Sequence, residues 1–272
     1  MWYDNSRRYT KEMNLLQQPI AVFDSGLGGI SVLRALRTLM PQESFLYYGD
    51  SANAPYGCRT TQEIRALTML HADRLFAGGA KALVLACNTA TSAAVDALRL
   101  RYPERIVIGI EPALKPALRS FPNGKIIVMA TQATLREEKF AALMESCAAD
   151  CEIHTCPCPE LVEFVERGEL TGAAVEAVLR QELAAALLPP ADAVVLGCTH
   201  FPFLSGAIRK VVGAQPRFFD GADGTARETK RRLAEAGLLC TEGSGSVELQ
   251  NSNPALLPLS QKLLASEIPV NF

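Results

Sequence analysis

A chain of 272 residues with 49% hydrophobic and 21% charged side chains can bury one large core or two modest ones, since single cores stop growing near this length. Its 27 basic and 29 acidic residues leave a formal charge of −2, so no global field recommends nucleic acid or an anionic lipid surface as partner. The first eighteen residues are polar without an apolar signal core, and no apolar run reaches the length of a bilayer span; the expected location is cytoplasmic.

Apolar strand candidates alternate with stretches of helical periodicity, the pattern of βαβ units around a parallel sheet. The spacing predicts a strand over 20–23, a helix over 30–39, a strand over 44–48, a helix over 61–77, a strand over 82–86, a helix over 91–101 and a strand over 106–110. After Pro112 the pattern restarts with a strand over 125–130, a helix from Leu135, a strand over 151–155, helices from Pro159 and Thr171, and a strand over 193–197. A helix over 225–236 follows, then a loose tail rich in Gly, Ser, Asn and Pro that should pack back on the first run. Ile20 and Ile126 stand at an offset of 106 residues and Cys87 and Cys198 at 111, which reads as a duplicated unit. The expected fold class is α/β, with two pseudo-symmetric lobes, each a mainly parallel sheet flanked by helices, and the active site in the cleft between them. Residues 1–111 and 221–272 are assigned to the first lobe and 112–220 to the second.

Two cysteines carry most of the functional information. Cys87 ends the run Ala82-Leu-Val-Leu-Ala-Cys87-Asn-Thr, and Cys198 ends Ala193-Val-Val-Leu-Gly-Cys198-Thr-His. A buried strand ending this way delivers its thiol to the carboxyl edge of a parallel sheet, where open α/β sheets bind ligands. Singly, each reads as a small hydrophobe; as a matched pair, one per lobe, they suit stereoinversion, which needs a base on one face of a carbon and an acid on the other. Both precede predicted helix starts, which places a thiolate within reach. The competing chemistry is a thiol hydrolase with His200 as base to Cys198, but it leaves Cys87 unexplained. Asp24 and His200, near the first and second thiol, are candidates to manage protons. Ser25, Asn88, Thr89 and Thr199 are candidate donors for an α-carboxylate.

Asp24-Ser25-Gly26-Leu27-Gly28-Gly29 lies between a predicted strand and helix, where amides and the helix dipole receive anions. Ser31 occupies the third glycine position of G-x-G-x-x-G and no Gly-Lys-Ser/Thr occurs, so a carboxylate-sized anion fits better than a nucleotide; a tight turn needing positive φ is the structural alternative. The Pro55-Tyr56-Gly57 segment offers backbone amides and a phenol in a turn-rich loop that suits an amino-acid ligand. Cys147, Cys151, Cys156 and Cys158, with His154 between, fit no paired zinc spacing, so no metal is expected and the thiols should be reduced.

Together, Phe23-Asp-Ser-Gly-Leu-Gly-Gly29, Tyr48-Gly-Asp-Ser-Ala-Asn-Ala-Pro-Tyr-Gly57, Ala86-Cys-Asn-Thr-Ala90 and Leu196-Gly-Cys-Thr-His-Phe-Pro202 resemble the glutamate racemases of the cofactor-independent aspartate/glutamate racemase superfamily. The resemblance spans about Pro19 to Ala236. It implies interconversion of L- and D-glutamate without a cofactor, supplying D-glutamate for peptidoglycan. It also implies that Cys198 takes the α-proton of L-glutamate and Cys87 that of D-glutamate. Asp24, His200 and a glutamate are the implied auxiliary groups; that glutamate corresponds to Glu166, with Glu163 its near competitor. Substrate contacts are implied at Ser25, Pro55, Tyr56, Gly57, Asn88, Thr89 and Thr199, and at Thr131 and Thr134 in a segment where Ala130 replaces the family's glycine. The resemblance leaves room for a homodimer. With the extension before Pro19 it also leaves room for a cell-wall precursor as activator, for which these residues offer no recognisable site. A related racemase acting on aspartate or a hydantoin, and an amino-acid-binding protein of the same fold, are the rival readings.

Overall fold

The computed structural model describes residues 15–136, 138–147 and 151–266, so most of the N-terminal extension lies outside the described residues. Among the described residues nine strands form two sheets. The first contains β1 (Ile20–Asp24), β2 (Phe45–Gly49), β3 (Ala82–Leu85), β4 (Ile106–Gly109) and β9 (Val247–Asn251) in the order β4-β3-β1-β2-β9. The second contains β5 (Lys125–Ala130), β6 (Glu152–Pro157), β7 (Ala193–Leu196) and β8 (Arg217–Asp220) in the order β6-β5-β7-β8. Every pairing is parallel. Reversing the first order gives β9-β2-β1-β3-β4, so both sheets repeat one topology in which the opening strand lies between its second and third. The first sheet adds β9 at its edge.

The helices are α1 (Ile30–Leu39), α2 (Thr61–Ala77), α3 (Asn88–Arg101), α4 (Leu114–Ser120), α5 (Gln132–Arg136), α6 (Glu138–Cys147), α7 (Glu160–Glu166), α8 (Ala173–Leu183), α9 (Ser205–Val212), α10 (Ala222–Glu235) and α11 (Leu257–Ala265). Helix α2 begins at a capping box in which Thr60 accepts the Glu63 amide hydrogen and Glu63 accepts that of Thr60, the reciprocal arrangement that closes a first turn.

The inner strands β1, β3, β5 and β7 read as near-continuous apolar runs because both faces of each sheet are covered there. Alternate side chains divide between cores: Ile20 and Val22 of β1, Val84 of β3, Ile127 and Met129 of β5, and Val194 and Leu196 of β7 join one core extending through both lobes. Ala21, Phe23, Leu83 and Leu85 face a second cluster with Leu75 and Leu98 of α2 and α3. Ile126, Val128, Ala193 and Val195 face a third with Leu114 and Ala117 of α4.

Several boundaries differ from the sequence expectation. Helix α3 starts at Asn88, three residues early, because the Cys87 sulfur takes the capping position and accepts the Ala90 amide hydrogen at 3.4 Å. Cys198 is followed by a 3-10 turn (Phe201–Leu204) before α9 opens at Ser205. The loose tail is structured: β9 pairs with β2, and α11 follows. Strand β8 and helix α4 stand where the sequence pattern predicts no element.

Candidate active site

Asp24 ends β1 and Cys87 follows β3, its neighbour; Thr131 follows β5 and Cys198 follows β7, its neighbour. These are equivalent carboxyl-edge positions at the two points where strand order reverses, the place where open α/β sheets bind ligands. The edges face each other. Ser31 of α1 donates to the Thr199 carbonyl at 3.0 Å, Thr199 Oγ1 donates to Asp24 Oδ1 at 3.2 Å, and the Thr89 and Thr131 hydroxyls lie 3.1 Å apart.

Between them lies a cleft of about 820 Å³, lined by Ser25, Pro55, Tyr56, Gly57, Cys87, Asn88, Thr89, Thr131, Cys198, Thr199 and His200 among the residues expected from sequence. Both thiols open into this one space. Three expected residues do not line it. Thr134 stands behind Thr131, their hydroxyls 3.0 Å apart. Asp24 is fully buried, with Oδ2 accepting the Gly26 amide hydrogen at 2.9 Å. Glu166 lies behind His200.

Each thiol has its own partners. Cys87 Sγ is 3.3 Å from Ser25 Oγ, and Cys198 Sγ is 3.6 Å from His200 Nδ1. His200 Nε2 reaches Glu166 Oε1 at 2.7 Å; a carboxylate only accepts, so this nitrogen carries the hydrogen. Glu166 further accepts the Leu27 amide hydrogen at 2.6 Å and the Ser51 hydroxyl hydrogen at 3.1 Å. Glu163, the competitor, lines the cleft mouth and pairs with Arg167 at 3.5 Å.

The charged groups around the cleft act on Cys87 and on the His200–Glu166 pair. Burial pushes the Cys87 thiol up to about 12, with the Asp24 carboxylate adding to it and the Ser25 and Ala90 hydrogen bonds opposing. The expectation of a ready thiolate at Cys87 is therefore corrected: dehydration outweighs the helix N-terminus. Burial would push His200 down, but the hydrogen bonds to Cys198 and Glu166 and their charges hold it well above the ordinary imidazole range. Glu166 is held below its ordinary range because the same ion pair and the Leu27 and Ser51 donors outweigh its own burial. Asp24 is raised, chiefly by burial, with the His200 charge opposing.

Two further sequence readings change. The glycine-rich turn does receive a carboxylate, but it is that of Glu166. None of Gly26, Gly28 and Gly29 has positive φ; a Cβ on Gly26 would collide with the Glu166 carboxylate, and one on Gly28 would lie 2.6 Å from Thr199 Oγ1. Their role is close approach. The Tyr56 phenol, expected to face a ligand, donates to buried Asp50 at 2.7 Å and so anchors its own loop. Sequence reasoning missed Arg59 and Arg136 at the cleft mouth, which carry no signature beyond their charge.

Cys156 and Cys158 are buried in the shared core, Cys151 donates to the Phe121 carbonyl at 3.4 Å, and His154 pairs with Glu152 at 2.5 Å. The Cys147 side chain lies outside the described residues. Among the described residues no group of three or more His, Cys, Asp or Glu side chains converges as a metal site would, and no helix is long and apolar enough to cross a membrane.

The chain is 47% identical over 254 residues to a glutamate racemase of Clostridium perfringens (strain ATCC 13124), covering 92% of this chain and 98% of that one. Its structure is similar to Escherichia coli glutamate racemase in complex with L-glutamate and the activator UDP-MurNAc-ala (30% identity, TM-score 0.77, 90% and 95% covered). It is also similar to that of Francisella tularensis in complex with D-glutamate (26% identity, TM-score 0.78, 93% and 96% covered). Fold, site and relatives together define an isomerase of the racemase class. The chain belongs to the Asp/Glu/Hydantoin racemase family, whose model matches residues 30–229.

Proposed function

We propose that this protein interconverts L- and D-glutamate by a two-base mechanism in which Cys198 and Cys87 act on opposite faces of the α-carbon. The observation that carries the reading is the opening of both thiols, one from each lobe, into a single cleft. In the L-to-D direction Cys198 takes the α-proton while Cys87, whose thiol holds its proton, delivers one to the other face. The His200 imidazolium, kept charged by Glu166, stands 3.6 Å from Cys198 and stabilises negative charge there. In the reverse direction the thiolate of Cys87 is stabilised by the Ser25 hydroxyl and the Ala90 amide of α3. Asn88 Oδ1 is a buried acceptor with no partner among the described residues, which suits the substrate ammonium; Thr89 supplies a hydroxyl donor for the α-carboxylate, while Ser25 and Thr199, whose hydroxyl hydrogens are directed to Cys87 and Asp24, line the same wall and offer oxygens to the ammonium. Pro55, Gly57 and Thr131 shape the remainder of the substrate site, and Thr134 holds Thr131 from behind.

Relatives found with D-glutamate and with L-glutamate support the substrate. By the same likeness the reading extends to D-glutamate supply for peptidoglycan, a cytoplasmic location, a cell-wall precursor of the UDP-MurNAc-ala kind as activator, and a homodimer. Pure protein incubated with L-glutamate in deuterium oxide, without added cofactor, should yield D-glutamate deuterated at the α-carbon. Full racemisation retained by either Cys87→Ala or Cys198→Ala would sink the two-base assignment, and a panel with aspartate and a hydantoin separates the other substrates of the family.

A further inference from the structure

We propose that Ser51 and Asn251 are positioning residues for Cys198, the outer members of a hydrogen-bonded chain running from the returning strand β9 to the thiol. The inference rests on the two-base reading above and assigns a part to residues that touch neither substrate nor sulfur.

Each link has a fixed direction. The Asn253 amide hydrogen goes to Asn251 Oδ1 at 2.8 Å, which turns Nδ2 of the same amide toward Ser51. Nδ2 only donates, and it meets Ser51 Oγ at 3.0 Å. Ser51 thus accepts from Asn251 and uses its one hydrogen on Glu166 Oε2 at 3.1 Å. The other carboxylate oxygen takes the Leu27 amide and His200 Nε2, and His200 Nδ1 faces Cys198. Two donors from the first lobe and one from the second leave Glu166 a single orientation, and with it the imidazole that faces the thiol.

The backbone is arranged to permit the outer link. Asn251 is the last residue of β9 and sits in register with Gly49, the last residue of β2. A Cβ at position 49 would meet the Gly26 carbonyl oxygen first, at 2.3 Å, and Asn251 Nδ2 at 2.9 Å, so glycine there admits both the close turn at Gly26 and the amide that reaches across the strand end to Ser51. Strand β9 lies outside the repeated topology, and its contribution falls on the Cys198 side alone. Cys87 has no share in this chain.

That one-sidedness defines the test. For a racemase the equilibrium constant is one, so kcat/KM must change equally in both directions; isotope effects report which proton transfer has slowed. Racemisation of α-deuterated L-glutamate and α-deuterated D-glutamate is compared in the wild type, Ser51→Ala, Ser51→Thr and Asn251→Asp. In Asn251→Asp the carboxylate cannot donate and competes with Glu166 for the one Ser51 hydrogen, while side-chain volume is kept. We expect kcat/KM to fall about tenfold in Ser51→Ala and Asn251→Asp, as for loss of a hydrogen bond to a charged group. The isotope effect should rise with deuterated L-glutamate, whose proton goes to Cys198, and fall with deuterated D-glutamate, while Ser51→Thr restores both toward wild type. Unchanged isotope effects, or equal changes for the two enantiomers, overturn the relay in either variant independently. Wild-type protein that leaves both enantiomers untouched overturns the glutamate reading and the relay with it.

Discussion

Glu166 and Leu27 join the two lobes: the carboxylate at the end of α7 accepts the Leu27 amide hydrogen at 2.6 Å through the same oxygen that receives Nε2 of His200 at 2.7 Å. One oxygen therefore fixes the lobe contact and the imidazole beside Cys198. Replacing Glu166 with Gln keeps an acceptor for Leu27 but removes the charge. Because the Glu166 hydrogen bond and charge are among the causes that hold His200 up, its titration in E166Q should move to lower pH, followed by NMR of the imidazole. Turnover should fall about a hundredfold, within the usual range for a proton-transfer partner. A His200 titration unmoved by E166Q would separate the two groups electrostatically.

The Cys87 thiol, pushed up to about 12, should carry its proton in the free enzyme at neutral pH. Alkylation by iodoacetamide, resolved residue by residue because Cys58 is exposed, should be slow at Cys87 and still rising above pH 9. Asp24 is the second cause of the elevation after burial, and its negative charge opposes a nearby thiolate. Asp24→Asn should shift the Cys87 alkylation curve to lower pH. A wild-type curve that levels off by pH 8 would contradict this assignment.

The parts of the site visible in sequence are those where a strand ends. Asp24, Cys87 and Cys198 each close an apolar run on a polar or sulfur side chain, and sheet topology converts that position into a place at the cleft. Glu166 was separable from Glu163 only by family likeness, since both lie on a helix of seven residues; the fold aims one at His200 and the other at the mouth. Ser51 lies within one of the four motifs, but its pairing with Asn251 has no local signal, because it arises from a contact across 200 positions. Strand β9 escaped notice for a related reason. An edge strand alternates half-buried Val247 and Leu249 with exposed Glu248 instead of forming a continuous apolar run, and Gly and Ser precede it. Strand β8 offers only two apolar residues, Phe218 and Phe219, between Arg217 and Asp220, and Pro258 in the first turn of α11 gives that helix the look of a tail.

Gly28 shows how the glycine-rich turn serves the opposite lobe. Its φ is outside the left-handed region, so alanine is acceptable to the backbone there. The added methyl would instead strike the His200 ring and lie 2.6 Å from Thr199 Oγ1. Displacing His200 separates Nδ1 from Cys198, so Gly28→Ala should lose about a hundredfold in kcat/KM. Overpacking should lower stability by about 1–3 kcal/mol, leaving the protein folded by circular dichroism and thermal melting. Activity within twofold of wild type would show that the His200 position is not critical.

Asp220 ends β8, and its Oδ1 accepts the Ala222 amide hydrogen at 2.9 Å, capping the start of α10. Burial raises this carboxyl from 3.8 to about 6, Asp223 adds to the effect, and the Ala222 hydrogen bond opposes it. A folded-state value above the unfolded one means that ionisation is harder in the native protein. The contribution to stability is greatest below 3.8, declines as pH rises through 6, and stays at its minimum above. Asparagine retains the oxygen that caps α10 while removing the charge. Asp220→Asn should therefore leave the melting temperature at pH 4 nearly unchanged and raise it at pH 8 by about 8 °C, for roughly 3 kcal/mol of relieved ionisation cost. Equal shifts at both pH values would point to packing, and a loss at pH 8 would mean that the charged cap outweighs its dehydration.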